Sequence, residues 1–172
     1  GDVLDRRAAG IPVLDTVGSA VRAADASGVR PTHLVVGLAP DGGRLAASAR
    51  ADISEAISMG LNVDCGLHDF LTEDPEFVEL ATTHGVTLRD IRKPPPRDTL
   101  HFFDGKIEEV TSLKVALLGT DSAVGKRTTA WLLVDALEAA VITAEMVGTG
   151  QTPWHQGASH GIILHSLINH FF

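Results

Sequence analysis

The stretch Lys114–Leu137, KVALLGTDSAVGKRTTAWLLVDAL, decides how this chain is read. Lys114–Leu118 (KVALL) is an apolar run that predicts a buried strand, Gly119–Gly125 a loop, and Lys126–Ala139 a helix. Strand, glycine-bearing loop, Gly-Lys and helix together form the layout of a phosphate-binding P-loop. Backbone N–H groups of the loop and of the first helical turn converge on one spot, and the helix dipole adds positive potential there. Gly125 lets the backbone approach phosphate oxygens, and Lys126 supplies a mobile charge for the outer ones. The expected cofactor-binding residues are therefore Gly119, Thr120, Asp121, Ser122, Ala123, Val124, Gly125, Lys126, Arg127 and Thr128.

The loop departs from the usual pattern twice. Gly119 and Gly125 enclose five residues rather than the usual four, so Thr120 takes the first-glycine place. Arg127 stands where a Ser or Thr would ligate Mg²⁺, and the next hydroxyl, Thr128, is turned about 100° away on the helix. The bland alternative is a strand-to-helix turn whose glycines serve packing only.

Downstream, Ala140–Val147 reads as a second strand, and Gly148-Thr-Gly-Gln-Thr152 follows it. Carboxyl ends of strands converge on ligand in such sheets, so Thr149, Gln151 and Thr152 are candidate substrate contacts, against a plain glycine-rich turn. Trp131 and Leu132 on the P-loop helix read as core. His155, His160, His165 and His170 recur every five residues, a net turn of about 140° per step on a helix. They spiral rather than line one face, so no metal site is assigned and a histidine-rich surface is the plain reading.

Upstream, a separate unit alternates strands and helices. Ile11–Leu14 is short and apolar, and Thr16–Ala26 spaces Val17, Ala20, Val21 and Ala24 helically. Leu34–Leu38 is a strand closed by the turn signal Ala39–Gly43, and Ala46–Met59 is a helix ended at Gly60. Leu61–Cys65 is a strand, Pro75–His84 a helix with Phe77, Val78, Leu80 and Ala81 inward, and Val86–Ile91 a strand. Lys93-Pro94-Pro95-Pro96-Arg97 then reads as a stiff linker, and His101–Val110 as a hairpin around Asp104-Gly105. The fold class is α/β: a Rossmann-like parallel-sheet domain over 1–97, a linker and hairpin over 98–112, and a P-loop domain over 113–172. Only two or three strands fit after residue 113, so that second domain is expected to be incomplete, as a fragment or with an edge supplied by another subunit.

In the first unit His68 and Asp69 follow a strand and a glycine, where open α/β sheets place functional loops. His68 is a candidate general base for an amine and Asp69 its companion; alternatively Asp69 caps the next turn and His68 bonds to backbone. Cys65 is read as a small buried apolar group in preference to a nucleophile. Gly37–Gly43 lacks the G-x-G-x-x-G spacing, so no nicotinamide cofactor is implied, and Asp41 and Arg44 read as surface groups.

Composition limits the partners. The 172 residues carry 14 Lys and Arg against 22 Asp and Glu, for a net charge of −8, which lacks the electrostatic footprint of a nucleic-acid binder. Anionic ligand must be held by local donors against that field, so a small-molecule pocket is implied. A single cysteine suits a reducing cytoplasm, and no apolar run reaches the ~20 residues of a membrane span. The chain starts at Gly1 with no signal-like segment, which reads as a processed or cut start. Uncovered sheet edges in a short second unit predict a homo-oligomer.

The loop Gly119-Thr-Asp-Ser-Ala-Val-Gly-Lys126 is similar to the P-loop of dethiobiotin synthetase, Gly-Thr-Asp-x-x-Val-Gly-Lys-Thr. With Gly66-Leu-His-Asp-Phe-Leu71 and Gly148-Thr-Gly-Gln-Thr152, the chain more closely resembles a prokaryotic family of two-domain P-loop proteins catalogued as a domain of unknown function. The resemblance covers essentially the whole chain and implies a Rossmann-like domain followed by a P-loop domain. Family members run beyond the equivalent of Phe172, and some are assigned as N-acetyltransferases acting on D-glutamate and related D-amino acids. The resemblance thus implies acetyl-CoA as donor; the alternatives are an ATP- and Mg²⁺-dependent ligase or kinase-like enzyme and a non-catalytic nucleotide-binding module.

Overall fold

The computed structural model describes residues 10–38, 40, 43–99, 104–121 and 123–162. The first unit contains helix α1 (Val17–Ala26), strand β1 (His33–Val36), helix α2 (Ala47–Ser58), strand β2 (Asn62–Cys65), helix α3 (Pro75–His84) and strand β3 (Leu88–Asp90). Its strands pair in parallel in the order β1-β2-β3, with Val35 opposite Asp64 and Asp64 opposite Arg89.

Local chemistry sets these elements. Asp74 caps α3 by accepting from the Glu76 and Phe77 amides, Pro75 occupies the first turn, and Gly85 ends the helix at φ +65°. Arg50 of α2 donates to both Asp74 oxygens at 2.7 and 2.9 Å and lies over the Phe77 ring, fixing α2 against α3. Strand alternation then splits the sheet. Val36, Val63, Cys65 and Leu88 face Ile53, Ile57, Leu71 and Phe77 in one core, while Asp64 and Arg89 point to the other face. Burial among these groups pushes the Cys65 thiol up to about 11, so it stays a neutral core side chain.

After 3₁₀ turns at Arg97–Thr99 and Lys106–Glu109 come α4 (Lys126–Ala139), β4 (Val147–Gly148), the short helix α5 (Gln151–His155) and β5 (His160–Gly161), with β4 and β5 parallel. Helix α5 lies against the face of the first sheet that carries Asp64 and Arg89: the Arg89 guanidinium sits 4.4 Å from the Trp154 ring centroid.

Several expectations are corrected. Ile11–Leu14 forms no element, and Val78 is turned outward. Lys114–Leu118 joins no ladder among the described residues, and Leu118 is 88% exposed; apolar composition does not make a strand without a neighbour for its N–H and C=O groups. The expected strand Ala140–Val147 shrinks to its last residue, because Ile142 folds back to the Leu137 carbonyl after Val141 takes φ +61°. Around Asp104-Gly105 a 3₁₀ turn replaces the hairpin, with His101–Phe103 outside the described residues. Leu132 is exposed, and the half-buried Trp131 donates its Nε1–H to Gln156 Oε1 at 3.0 Å.

Candidate functional site

The loop between residues 119 and 125 is curled by two left-handed positions, Ala123 at φ +55° and Gly125 at φ +94°. Helix α4 starts directly after Gly125 with no side-chain cap, so its first-turn N–H groups open toward the loop. The Lys126 ammonium lies across the loop and donates to the Asp121 carbonyl. Gly119 makes room for it, since a Cβ there would stand 2.7 Å from Val124 Cγ2 and 3.0 Å from Lys126 Cδ. Thr120, Asp121, Ala123, Val124 and Arg127 are exposed, Thr128 is half-buried, and Thr129 donates back to the Gly125 carbonyl at 3.2 Å. Ser122 lies outside the described residues. Lys126 and the uncapped start of α4 thus meet at this loop, and Arg127 stands at the position where the usual pattern has the Mg²⁺ hydroxyl.

A second group of residues gathers beyond the carboxyl ends of β1, β2 and β3. Gly66 leaves β2 in close quarters: a Cβ there would stand 3.2 Å from His155 Nε2, 3.3 Å from Gln151 Cγ and 3.5 Å from the Val36 carbonyl. His68 is exposed, its amide donating to the Gly43 carbonyl at 3.0 Å. The Cδ2 edge of its ring abuts Gly43, where φ is +66° and any Cβ would fall 2.3 Å from Cδ2. Arg92 donates from Nε to the Gly66 carbonyl at 2.7 Å and brings Nη1 to 3.2 Å from His68 Nε2. Partial burial draws the Arg92 guanidinium below its ordinary value. Asp69 does not cap the following turn; its Oδ2 accepts the Leu45 amide at 2.7 Å and holds the upstream segment in place.

The fold therefore brings Gln151, from the glycine-rich segment of the second unit, to the edge that carries His68. Thr152 is half-buried in the same short helix, and Thr149 is exposed just before it. Arg92 is the residue that the sequence reading misses. Its available signal is position: an arginine two residues past β3, at the edge where the His68 loop also ends.

The seam beside this edge is ionic and aromatic. Arg89 binds buried Asp64 bidentately, Nε to Oδ1 at 2.7 Å and Nη2 to Oδ2 at 2.8 Å, which holds that carboxyl below the usual range. Next to it, burial pushes the His155 imidazole down, and its Nε2 is buried without a hydrogen-bond partner among the described residues. His160 pairs instead with Glu145 at 2.8 Å, while His165 and His170 lie outside the described residues. Among the described residues no three potential ligands group around a common metal position, and no helix is long and apolar enough to cross a membrane.

Residues 1–94 match the family model described as a Rossmann-like domain of unknown function, DUF1611_N, and residues 101–172 match its P-loop partner, DUF1611_C. The chain belongs to the DUF1611 family. A DUF1611 protein from Anabaena variabilis, whose crystal structure is solved, superposes with a TM-score of 0.72 at 28% identity, over 90% of this chain and 42% of that one. Two curated relatives are each named D-glutamate N-acetyltransferase. The protein from Pseudoalteromonas sp. is 38% identical over 117 residues, 68% of this chain and 34% of its own length. The one from Tritonibacter scottomollicae is 30% identical over 119 residues, 69% of this chain and 34% of its own length. The matched stretch is about a third of the length of either relative.

Proposed function

We propose that this DUF1611 chain belongs to an N-acetyltransferase that moves acetyl from acetyl-CoA to the amino group of D-glutamate or a related D-amino acid. In this reading the CoA phosphates rest in the 119–128 loop, and the acceptor lies at the carboxyl edge of the first sheet, beside His68, Gln151 and Thr152. The observation that carries it is Arg127 directly after Lys126 at an uncapped helix start. Phosphoryl transfer asks for Mg²⁺ bridging phosphate oxygens, and the hydroxyl that ordinarily holds it is replaced here by a cation. A clamp on CoA phosphates gains from that second cation. The names of the two relatives point the same way.

The chemistry asks little covalent work of the protein. The acceptor nitrogen bonds to the thioester carbon, the C–S bond breaks, the amine proton leaves to solvent or a base, and CoA departs as the thiol. Loop and helix N–H groups suit the oxyanion that forms on the way. We further read the enzyme as cytoplasmic and self-associating. A second reading, an ATP-dependent ligase of the dethiobiotin synthetase type, draws on the retained Gly125-Lys126 pair. Incubation with acetyl-CoA and D-glutamate separates the two: thiol release with N-acetyl-D-glutamate, lost in Lys126→Ala, is expected. Turnover seen only with ATP and Mg²⁺ would favour the ligase.

A further inference from the structure

The contact between Arg92 and His68 fixes more than a position. A guanidinium has N–H donors and no acceptor, so at 3.2 Å from Arg92 Nη1 the His68 Nε2 takes the bond on its lone pair. The neutral ring must then carry its proton on Nδ1, since the hydrogen bond at one ring nitrogen decides which tautomer the other adopts. The ring is flanked along one edge, and its backbone is tied down beside it. Gly43 lies against its Cδ2 side with no room for even a Cβ, and the His68 amide is tied to the Gly43 carbonyl. Arg92 is itself anchored through Nε on the Gly66 carbonyl at 2.7 Å. The result is an exposed imidazole, at the carboxyl edge of a parallel sheet, that offers a donor rather than a lone pair.

We propose that His68 is a fixed-tautomer hydrogen-bond donor that binds a carboxylate of the acceptor amino acid through Nδ1–H, with Arg92 as the positioning residue. His68 is then a binding group and not the base that its place in the sequence suggests. The adjacent guanidinium, donating to Nε2, polarises the ring so that Nδ1–H faces an anionic oxygen as a stronger donor. Of the ligands in the acetyl-transfer reading, the acceptor is the one that brings carboxylates to this edge. The choice of ligand rests on that reading; the tautomer does not.

Long-range ¹H–¹⁵N spectra of the histidine rings test the first half directly. Wild-type protein at neutral pH should show His68 protonated at Nδ1, and Arg92→Gln should release that preference. A ring protonated at Nε2 in the wild type overturns the proposal. Titration with D-glutamate, and with glutarate as a plain dicarboxylate, tests the second half. Asn places its amide N–H where Nδ1–H was, whereas Gln reaches toward the Nε2 position. His68→Asn should therefore hold D-glutamate within about threefold of wild type, and His68→Gln should weaken it about tenfold or more, the scale of a hydrogen bond to a charged group. Glutarate bound as well as D-glutamate places the contact on the side-chain carboxylate; D-glutamate alone places it on the α-carboxylate. Equal failure of both variants, with loss of the acidic limb of the pH–rate profile, would make His68 the base instead. No response to either dicarboxylate in protein that holds acetyl-CoA overturns the carboxylate site alone. Binding of D-glutamate without acetyl-CoA binding overturns only the acetyl-transfer reading.

Discussion

Replacing Arg89 by alanine should unfasten α5 from the first sheet while leaving the core of that sheet in place. Asp64 is the buried member of the pair, its side chain 10% exposed, whereas the Arg89 side chain is 50% exposed. Breaking a fully buried pair costs about 3–5 kcal/mol and an exposed one about 0–1, so a half-exposed bidentate pair should cost about 2 kcal/mol. The lost stacking on Trp154, at 4.4 Å, adds about 0.5–1 kcal/mol. For a chain of this size the total corresponds to a fall in Tm of about 5–10 °C. Chemical denaturation followed by circular dichroism measures the cost, and acrylamide quenching of tryptophan fluorescence should rise as Trp154, already 38% exposed, loses its remaining cover. In Asp64→Asn/Arg89→Ala the two costs should add to less than their sum, because each single change strands the other partner. A loss below about 0.5 kcal/mol, or unchanged quenching, would refute the idea that this contact joins the two units.

Acid should weaken the fold through the same group. Asp64 and Asp74 are both held below the usual carboxylate range by their arginines. Their contribution is therefore present above the unfolded value of about 3.9 and lost as pH falls through the folded one, so Tm should be flat from pH 7 to about 5 and drop below about 4. Asp64→Asn should flatten that drop in a thermal scan across pH. Phe77→Ala empties the centre of the core and should cost about 3–5 kcal/mol in a urea titration; a cost under 1 would mean that the core is not as described. Leu113, Leu118 and Val141 are 90%, 88% and 95% exposed, so the chain should self-associate in light scattering, and a stable monomer would contradict that expectation.

Where local signals agreed, the sequence was legible. Pro75–His84 carries its own cap, its proline and its terminal glycine, and the helix has the expected bounds. Asn62–Cys65 and Ala47–Ser58 likewise follow from apolar pattern and flanking turns. Lys114–Leu118 failed because a strand needs a paired neighbour, which no composition supplies. The loop at 119–125 could be placed from its glycines and Lys126, yet the path of Lys126 to the Asp121 carbonyl could not. Hidden most deeply were the long-range partnerships: Arg92 with His68, Asp64 with Arg89 and Trp154, and His155 against Gly66. Each joins residues more than twenty positions apart, and the role of His68 depends on such a partner.

In the proposed acetyl transfer, the loop ending in Gly125-Lys126-Arg127 would hold the phosphates of acetyl-CoA without a metal ion. Isothermal titration of acetyl-CoA into the protein in excess EDTA tests it most directly. One saturable site is predicted, abolished in Lys126→Ala and weakened about tenfold in Arg127→Ser, with far-UV circular dichroism unchanged in both. The matching melting shift should approach about 2.7 kcal/mol of stabilisation at a hundredfold excess over Kd. Heat that appears only with ATP and Mg²⁺, or full binding in Lys126→Ala, would contradict the account.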